Sequence, residues 1–269
     1  MKKTIIALSM LVSMSAMADF VALVGDNSIR YNVKSADPEG ESGLIIGGGE
    51  YVDYEVSGST PPTPTCIGSE LSRDELINKI NADEDVTNAC VGTITDFTYL
   101  FLSNPSFNQD ISNWDVSNVT TFYHTFSYVT GFDQDISNWD MSSAEDLTGM
   151  FYGSNFNNNN QPLNWNVSNV KTFDNMFNAN SKFNQNISSW NISSATNLRE
   201  MFMFATSFDQ DISGWDITNV TNLTNFVADA GVFKQDLSGW DVSGKSVTGF
   251  ADGTLMDLTD LPTGVVKRY

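Results

Sequence analysis

Carboxylates recur along this chain at a spacing suited to holding a cation. Asp115, Asp140, Asp216 and Asp241 each directly follow a tryptophan, and Asp110, Asp135, Asp211 and Asp236 stand four residues before those same tryptophans. If such units stack as parallel strands, equivalent residues lie about 5 Å apart. Two carboxylates at that distance repel by roughly 0.8 kcal/mol in water. Calcium, a hard cation that prefers oxygen ligands, would relieve the repulsion. Amides interrupt both series, however, at Asn166 and Asn191 and at Gln161 and Asn186, and neither an EF-hand loop nor a calcium nonapeptide occurs. The leading expectation is therefore a solvated, turn-forming acid face, with binding of a cation such as calcium, or of a partner, as the functional alternative.

Catalytic chemistry finds less support. His124 is the single histidine, so any triad would depend on it, yet it occupies a phase where other units carry Gly149, Asn175, Glu200 and Asn225. It reads as incidental. The acids are spread by periodicity and do not converge as a hydrolase needs. No catalytic residue is expected, and a carbohydrate-active enzyme is the remote alternative. The tryptophans could in principle stack on sugars, but they share an inward phase with Ile and Val and read as core.

All of these residues belong to one repeat. Tryptophans stand at Trp114, Trp139, Trp165, Trp190, Trp215 and Trp240, at intervals of 25 or 26 residues. Two residues after each stand Val116, Met141, Val167, Ile192, Ile217 and Val242; Phe126, Phe151, Phe177 and Phe202 stand twelve after, and another Phe opens each unit at 107, 132, 156, 183, 208 and 233. A period of 20 to 29 residues points to a leucine-rich-repeat architecture. The in-out-in pattern of Trp114-Asp115-Val116 predicts a short strand stacked in parallel with its copies. Val119, Phe122 and Phe126, spaced by three and four, predict a short helix or irregular turn on the opposite wall. In the third unit Asn157 to Asn160 and Pro162 replace the usual run and predict a bulge, and Val227 in place of Phe weakens the fifth unit.

The rest of the chain frames the array. Lys2 and Lys3, the apolar run from Ile5 to Met14 and Ala16-Met17-Ala18 make residues 1–18 a cleaved export signal. Short strands at Phe20–Val24, Ile29–Val33 and Tyr51–Val56 give a small β region over 19–56, and Pro61, Pro62 and Pro64 mark a linker over 57–65. In an exported chain the pair Cys66 and Cys90 reads as a structural disulfide. It brackets a helix announced by a Ser72-to-Glu75 capping box, with Leu71 and Leu76 as staple and Leu76, Ile77 and Ile80 as its apolar face. Residues 66–92 form the expected N-terminal cap, 93–252 the repeats, and 253–269 a C-terminal cap or tail. The formal charge of -20 and a pI near 4.1 argue against nucleic acid and anionic membranes as partners. No stretch is long and apolar enough for a transmembrane anchor.

The units Phe107-Asn108-Gln109-Asp110-Ile111-Ser112-Asn113-Trp114-Asp115-Val116-Ser117-Asn118-Val119 and Phe208-Asp209-Gln210-Asp211-Ile212-Ser213-Gly214-Trp215-Asp216-Ile217 resemble the repeats of BspA-like leucine-rich-repeat surface proteins of bacteria. The resemblance covers roughly Ile94 to Asp252 and supplies no catalytic or binding residues. It implies a secreted or surface-displayed protein, with adhesion or matrix binding as its activity. The combined expectation is an α/β repeat solenoid, a leucine-rich-repeat-like parallel-strand stack of about six to seven coils with a capping helix, preceded by a small β element. Its function would be non-enzymatic binding of an extracellular protein or matrix ligand through an extended acidic surface, without cofactor unless calcium. The alternative is a structural or assembly component of the envelope, with the periplasm as the alternative location.

Overall fold

The computed structural model describes residues 66–268 together with the backbone of a hairpin, and the chain divides into two units, Met1–Pro61 and Pro62–Tyr269. In the first unit β1 (Phe20–Gly25) pairs antiparallel with β2 (Ser28–Val33), in register from Phe20 opposite Val33 to Gly25 opposite Ser28. The export signal 1–18, the strand expected at 51–56 and the linker 57–65 lie outside the described residues.

The second unit opens with α1 (Arg73–Asn81). Ser72 caps it: its Oγ accepts from the Glu75 amide, and Glu75 Oε2 accepts from the Ser72 amide at 2.8 Å, satisfying two of the helix's orphan donors reciprocally. Leu76 and Ile80 face the core, with Leu71 and Ile77 partly buried beside them. The disulfide from Cys66 to Cys90 ties this cap to the start of the repeats. A parallel bridge between Glu70 and Cys90 and a hydrogen bond from the Leu71 amide to the Cys90 carbonyl reinforce the link.

Neighbouring repeats are joined at a different place from the one the residue pattern suggests. No bridge falls on Trp114-Asp115-Val116 or its copies. The parallel bridges run through Asp96, Thr121, Asp146, Thr172, Asn197, Asn222 and Ser246, one per repeat, on the wall expected to hold a short helix or irregular turn. From each rung onward alternate amides point to the following repeat: Phe122 to Asp146, His124 to Thr148, Phe126 to Met150 and Tyr128 to Tyr152, all by N–H···O=C bonds of 2.7 or 2.8 Å. The amides between them close tight turns, as Thr125 does onto Phe122 and Val129 onto Phe126.

This alternation needs a left-handed residue in each turn. His124, Asn175, Glu200 and Asn225 have φ between 51° and 57°, and Tyr128, Ala179, Phe204 and Asp229 between 56° and 59°. Phe122 and Phe126 are four residues apart, a spacing common to one helical turn and to this pair of tight turns, so their period alone does not separate the two. At the tryptophans the backbone is consumed locally instead. The Trp114 amide bonds the Ile111 carbonyl and the Val119 amide bonds Val116, which leaves no strand to pair.

The tryptophans reach the preceding repeat through their side chains. Their indole N–H groups donate to carbonyls of Val86, Ile111, Ile136, Leu163, Ile187 and Ser213 in turn, at 2.8 to 3.2 Å. All six are only 2 to 5% exposed, so each buries a large ring while its polar atom is satisfied. Beside them run phenylalanine columns: Phe126, Phe151, Phe177 and Phe202 stack at 5.4 to 5.7 Å, nearly parallel. Val227 interrupts that column, and Phe226, one residue earlier, substitutes by packing edge-on to Phe202 and against Phe250 at 5.6 Å.

Asparagines and aspartates after the opening Phe fix the register of the units. Asn108, Asn184 and Asp209 each accept, through Oδ1, from an amide and a Gln side chain of the next repeat. The expected bulge is present as a short 3-10 turn at Asn158–Asn160, where buried Asn158 accepts from the Ile136 amide and donates to the Gln161 carbonyl. Cations bind backbone carbonyls near both ends of the bridged wall. Arg73 donates to the Asp96 and Thr98 carbonyls. Lys245, at a phase held elsewhere by Val or Ala, donates through Nζ to Ile217, Thr218 and Val220.

Candidate functional site

The acid series has a local task. In each unit the Asp takes the amide of the residue two further on: Asp110 holds Ser112, Asp115 holds Ser117, Asp135 holds Ser137 and Asp140 holds Ser142, at 2.9 to 3.1 Å. Asp211, Asp216, Asp236 and Asp241 do the same for Ser213, Thr218, Ser238 and Ser243, each at 2.9 Å. Hydrogen bonds from the Ser or Thr two residues on hold the carboxyls of Asp110, Asp211, Asp216, Asp236 and Asp241 below the ordinary aspartate value. Asn166, Asn186 and Asn191 make the same Asx turn with an amide oxygen, which explains why the two residue types alternate. Either a carboxylate or an amide oxygen serves as the acceptor in this turn.

Cys66, Glu70 and Cys90 also lie close together, but both sulfurs are spent on the disulfide.

A different cluster gathers on the bridged wall, from positions two, three, six and seven after each rung. Most of these residues are partly exposed, and their identity changes from unit to unit while the columns beneath stay apolar. Tyr99, Tyr123 and His124 meet here: Tyr99 lies edge-on to Tyr123 at 5.3 Å and stacks on His124 at 5.4 Å, and Tyr123 meets His124 at 4.5 Å. One repeat further, Tyr128 sits edge-on to Tyr152 at 5.1 Å. Glycines make room for two of these rings. A Cβ on Gly149 would come within 2.3 Å of the His124 imidazole, and one on Gly153 within 2.8 Å of the Tyr128 ring. Tyr99 and Tyr128 keep 43% and 57% of their surface exposed.

Carboxylates adjoin the rings. Asp174 and Glu200 clamp Arg199 between them, Asp174 at 3.6 Å, and Asn178 bridges Asn175 to Glu200 at 2.7 and 3.3 Å. Burial raises the Asp174 carboxyl above its ordinary value, partly opposed by Arg199. Burial also depresses the His124 imidazole, against the pull of Asp146 and Asp174, and so favours its neutral, stacking form near neutral pH. A hydrogen bond with Tyr99 raises the Tyr123 phenol, and one with Tyr128 raises that of Tyr152.

The wall therefore presents a fixed aromatic patch bordered by acids whose side chains are already held in place. His124, read from the sequence as incidental, lies at its centre. Tyr99, Tyr123, Tyr128, Tyr152, Asp146, Asp174 and Glu200 were not singled out from the sequence. The available signal was irregularity, since these columns vary between units more than the apolar columns beneath them.

No curated protein and no solved structure matches this chain. Two overlapping stretches, residues 73–164 and 154–252, match one family and together span the repeats from α1 onward. The chain belongs to the family described as "Mycoplasma protein of unknown function, DUF285".

Proposed function

We propose that this chain is an exported, non-catalytic interaction module, built as a leucine-rich-repeat-like solenoid of the kind its resemblance to BspA-like surface proteins suggests. Its binding face is the bridged wall, and its partner is an extracellular protein. The observation that carries this reading is the half-exposed Tyr99–Tyr123–His124–Tyr128–Tyr152 patch, held over Gly149 and Gly153 on a frame of inter-repeat hydrogen bonds. Tyrosines enrich binding surfaces because they offer large amphipathic contact area at small entropic cost. The Cys66–Cys90 disulfide supports an oxidising location. A non-catalytic role is supported by the aspartates flanking four of the six tryptophans, which serve Asx turns spaced along the repeats. The sole histidine, in turn, is engaged in aromatic contacts.

The test is a pull-down from matrix, serum and envelope extracts with the full chain and with Tyr128→Ser/Tyr152→Ser. Retention of a protein by the wild type and its loss by the folded variant is expected. Identical retention by both, or none by either, would overturn the assignment.

A further inference from the structure

Carboxylates outnumber cations around the tyrosine patch. Asp146, Asp174 and Glu200 lie close enough to act electrostatically on its rings: Asp146 and Asp174 on Tyr123 and His124, and Glu200 on Tyr152. Arg199 is shared by two of those carboxylates and leaves the group negative. The Glu200 oxygens are further fixed by Asn178 and Asn225, so the acids have little freedom to turn away. Ring faces beside fixed carboxylates attract cationic side chains twice, through the π quadrupole and through charge. An acidic partner would be repelled.

We infer that the wall docks a basic, extended protein segment, seating one Lys or Arg side chain beside the Tyr123 ring and the Asp146 and Asp174 carboxylates and another beside the Tyr128–Tyr152 rings and the Glu200 carboxylate. This rests on the reading of the wall as the binding face and adds the chemical class of the partner. Phe204, four residues after Glu200 and 45% exposed, offers an apolar contact for the residues between the cations. Ala179 and Gly153, at the equivalent position of the two preceding repeats, keep the surface low between Phe204 and Tyr128.

The experiment is fluorescence anisotropy with the full chain and a labelled synthetic peptide alternating lysine and leucine, set against the same peptide with glutamate for lysine. The lysine peptide is expected to bind and the glutamate peptide not. Asp174→Asn/Glu200→Gln and, separately, Tyr128→Ser/Tyr152→Ser are each expected to weaken binding roughly tenfold. Asp236→Asn/Asp241→Asn, which removes two charges from the Asx turns, should leave it nearly unchanged. Equal weakening by all three double variants would mean attraction to net charge alone and would overturn the inference, as would absence of binding. If the lysine peptide fails while an extract protein is still lost by Tyr128→Ser/Tyr152→Ser, the binding face stands and the basic partner falls.

Discussion

The imidazole of His124 occupies the volume that a side chain on Gly149 would need, with a Cβ there falling 2.3 Å from the ring. Gly149 also has φ +59°, a left-handed conformation that costs other residues about 1–2 kcal/mol. Gly149→Ala should therefore destabilise the protein by about 2 kcal/mol and displace His124 from Tyr99. Gly239→Ala, which meets nothing within 4 Å, should cost far less and serves as the control. Urea unfolding measures both.

The His124 environment also sets a pH dependence. Its folded pKa lies below the unfolded one because of burial, so the unfolded state takes up the proton more readily. The stabilisation this gives neutral His124 is complete above the unfolded value of about 6.5 and is lost as pH falls from there through the folded value. Unfolding measured between about pH 7.5 and 5 should show this decline in the wild type and a smaller one in His124→Gln.

The Trp190 indole donates to the Leu163 carbonyl at 2.8 Å inside the core. Trp190→Phe keeps an aromatic ring but strands that carbonyl, at a cost of about 1–3 kcal/mol plus the packing lost with the smaller ring. The wild-type tryptophan emission should be strongly blue-shifted, since all six rings are buried. Emission near that of free tryptophan would contradict the packing described for these rings.

Aspartates of the Asx turns should tolerate amides. Asp110→Asn is expected to leave the melting temperature nearly unchanged, as Asn186 holds the equivalent turn, whereas Asp110→Ala should lower it by a few degrees. Because hydrogen bonds from Ser112 lower the Asp110 pKa, its contribution is present above the unfolded value of about 3.9 and lost as pH falls through the folded one. The Asn variant should lose that share of the acid sensitivity, as read by melts between about pH 5 and 2.

Reduction should loosen one end first. The disulfide closes a separation of 24 residues, for which the chain-entropy account gives about 3 kcal/mol. Cys66→Ser/Cys90→Ser should lower stability by about that amount and speed hydrogen exchange at the Leu71 amide. Exchange at Phe177, whose amide bonds the Met201 carbonyl deep in the array, should change least.

The helical cap, the inward tryptophans and the third-unit bulge were legible because each rests on local rules: a capping box, a phase shared with Ile and Val, and a run of asparagines. The route of the bridges was not. Phe122 and Phe126 share a spacing with a helix, and nothing in their identity announces that His124 and Tyr128 between and beyond them adopt positive φ. Gly149 and Gly153 in the next unit, and Gly249 and Gly253 in the last, are the hints at these positions. The tyrosine patch stayed hidden because a repeat is read through what recurs, while Tyr99, Tyr123 and Tyr152 occupy columns in which neighbouring units carry different residues.

Arg73 ends the bridged wall by donating to the Asp96 and Thr98 carbonyls, which a preceding repeat would otherwise approach, and Lys245 ties the last unit back onto the one before it. Between them every junction repeats the same exchange of donors and acceptors, so a tandem duplication of one 25-residue unit would meet compatible neighbours on both sides. Such a gene could lengthen or shorten in whole units under selection while its two end units stay fixed. The variable outer columns would then diversify on a scaffold whose interior need not change.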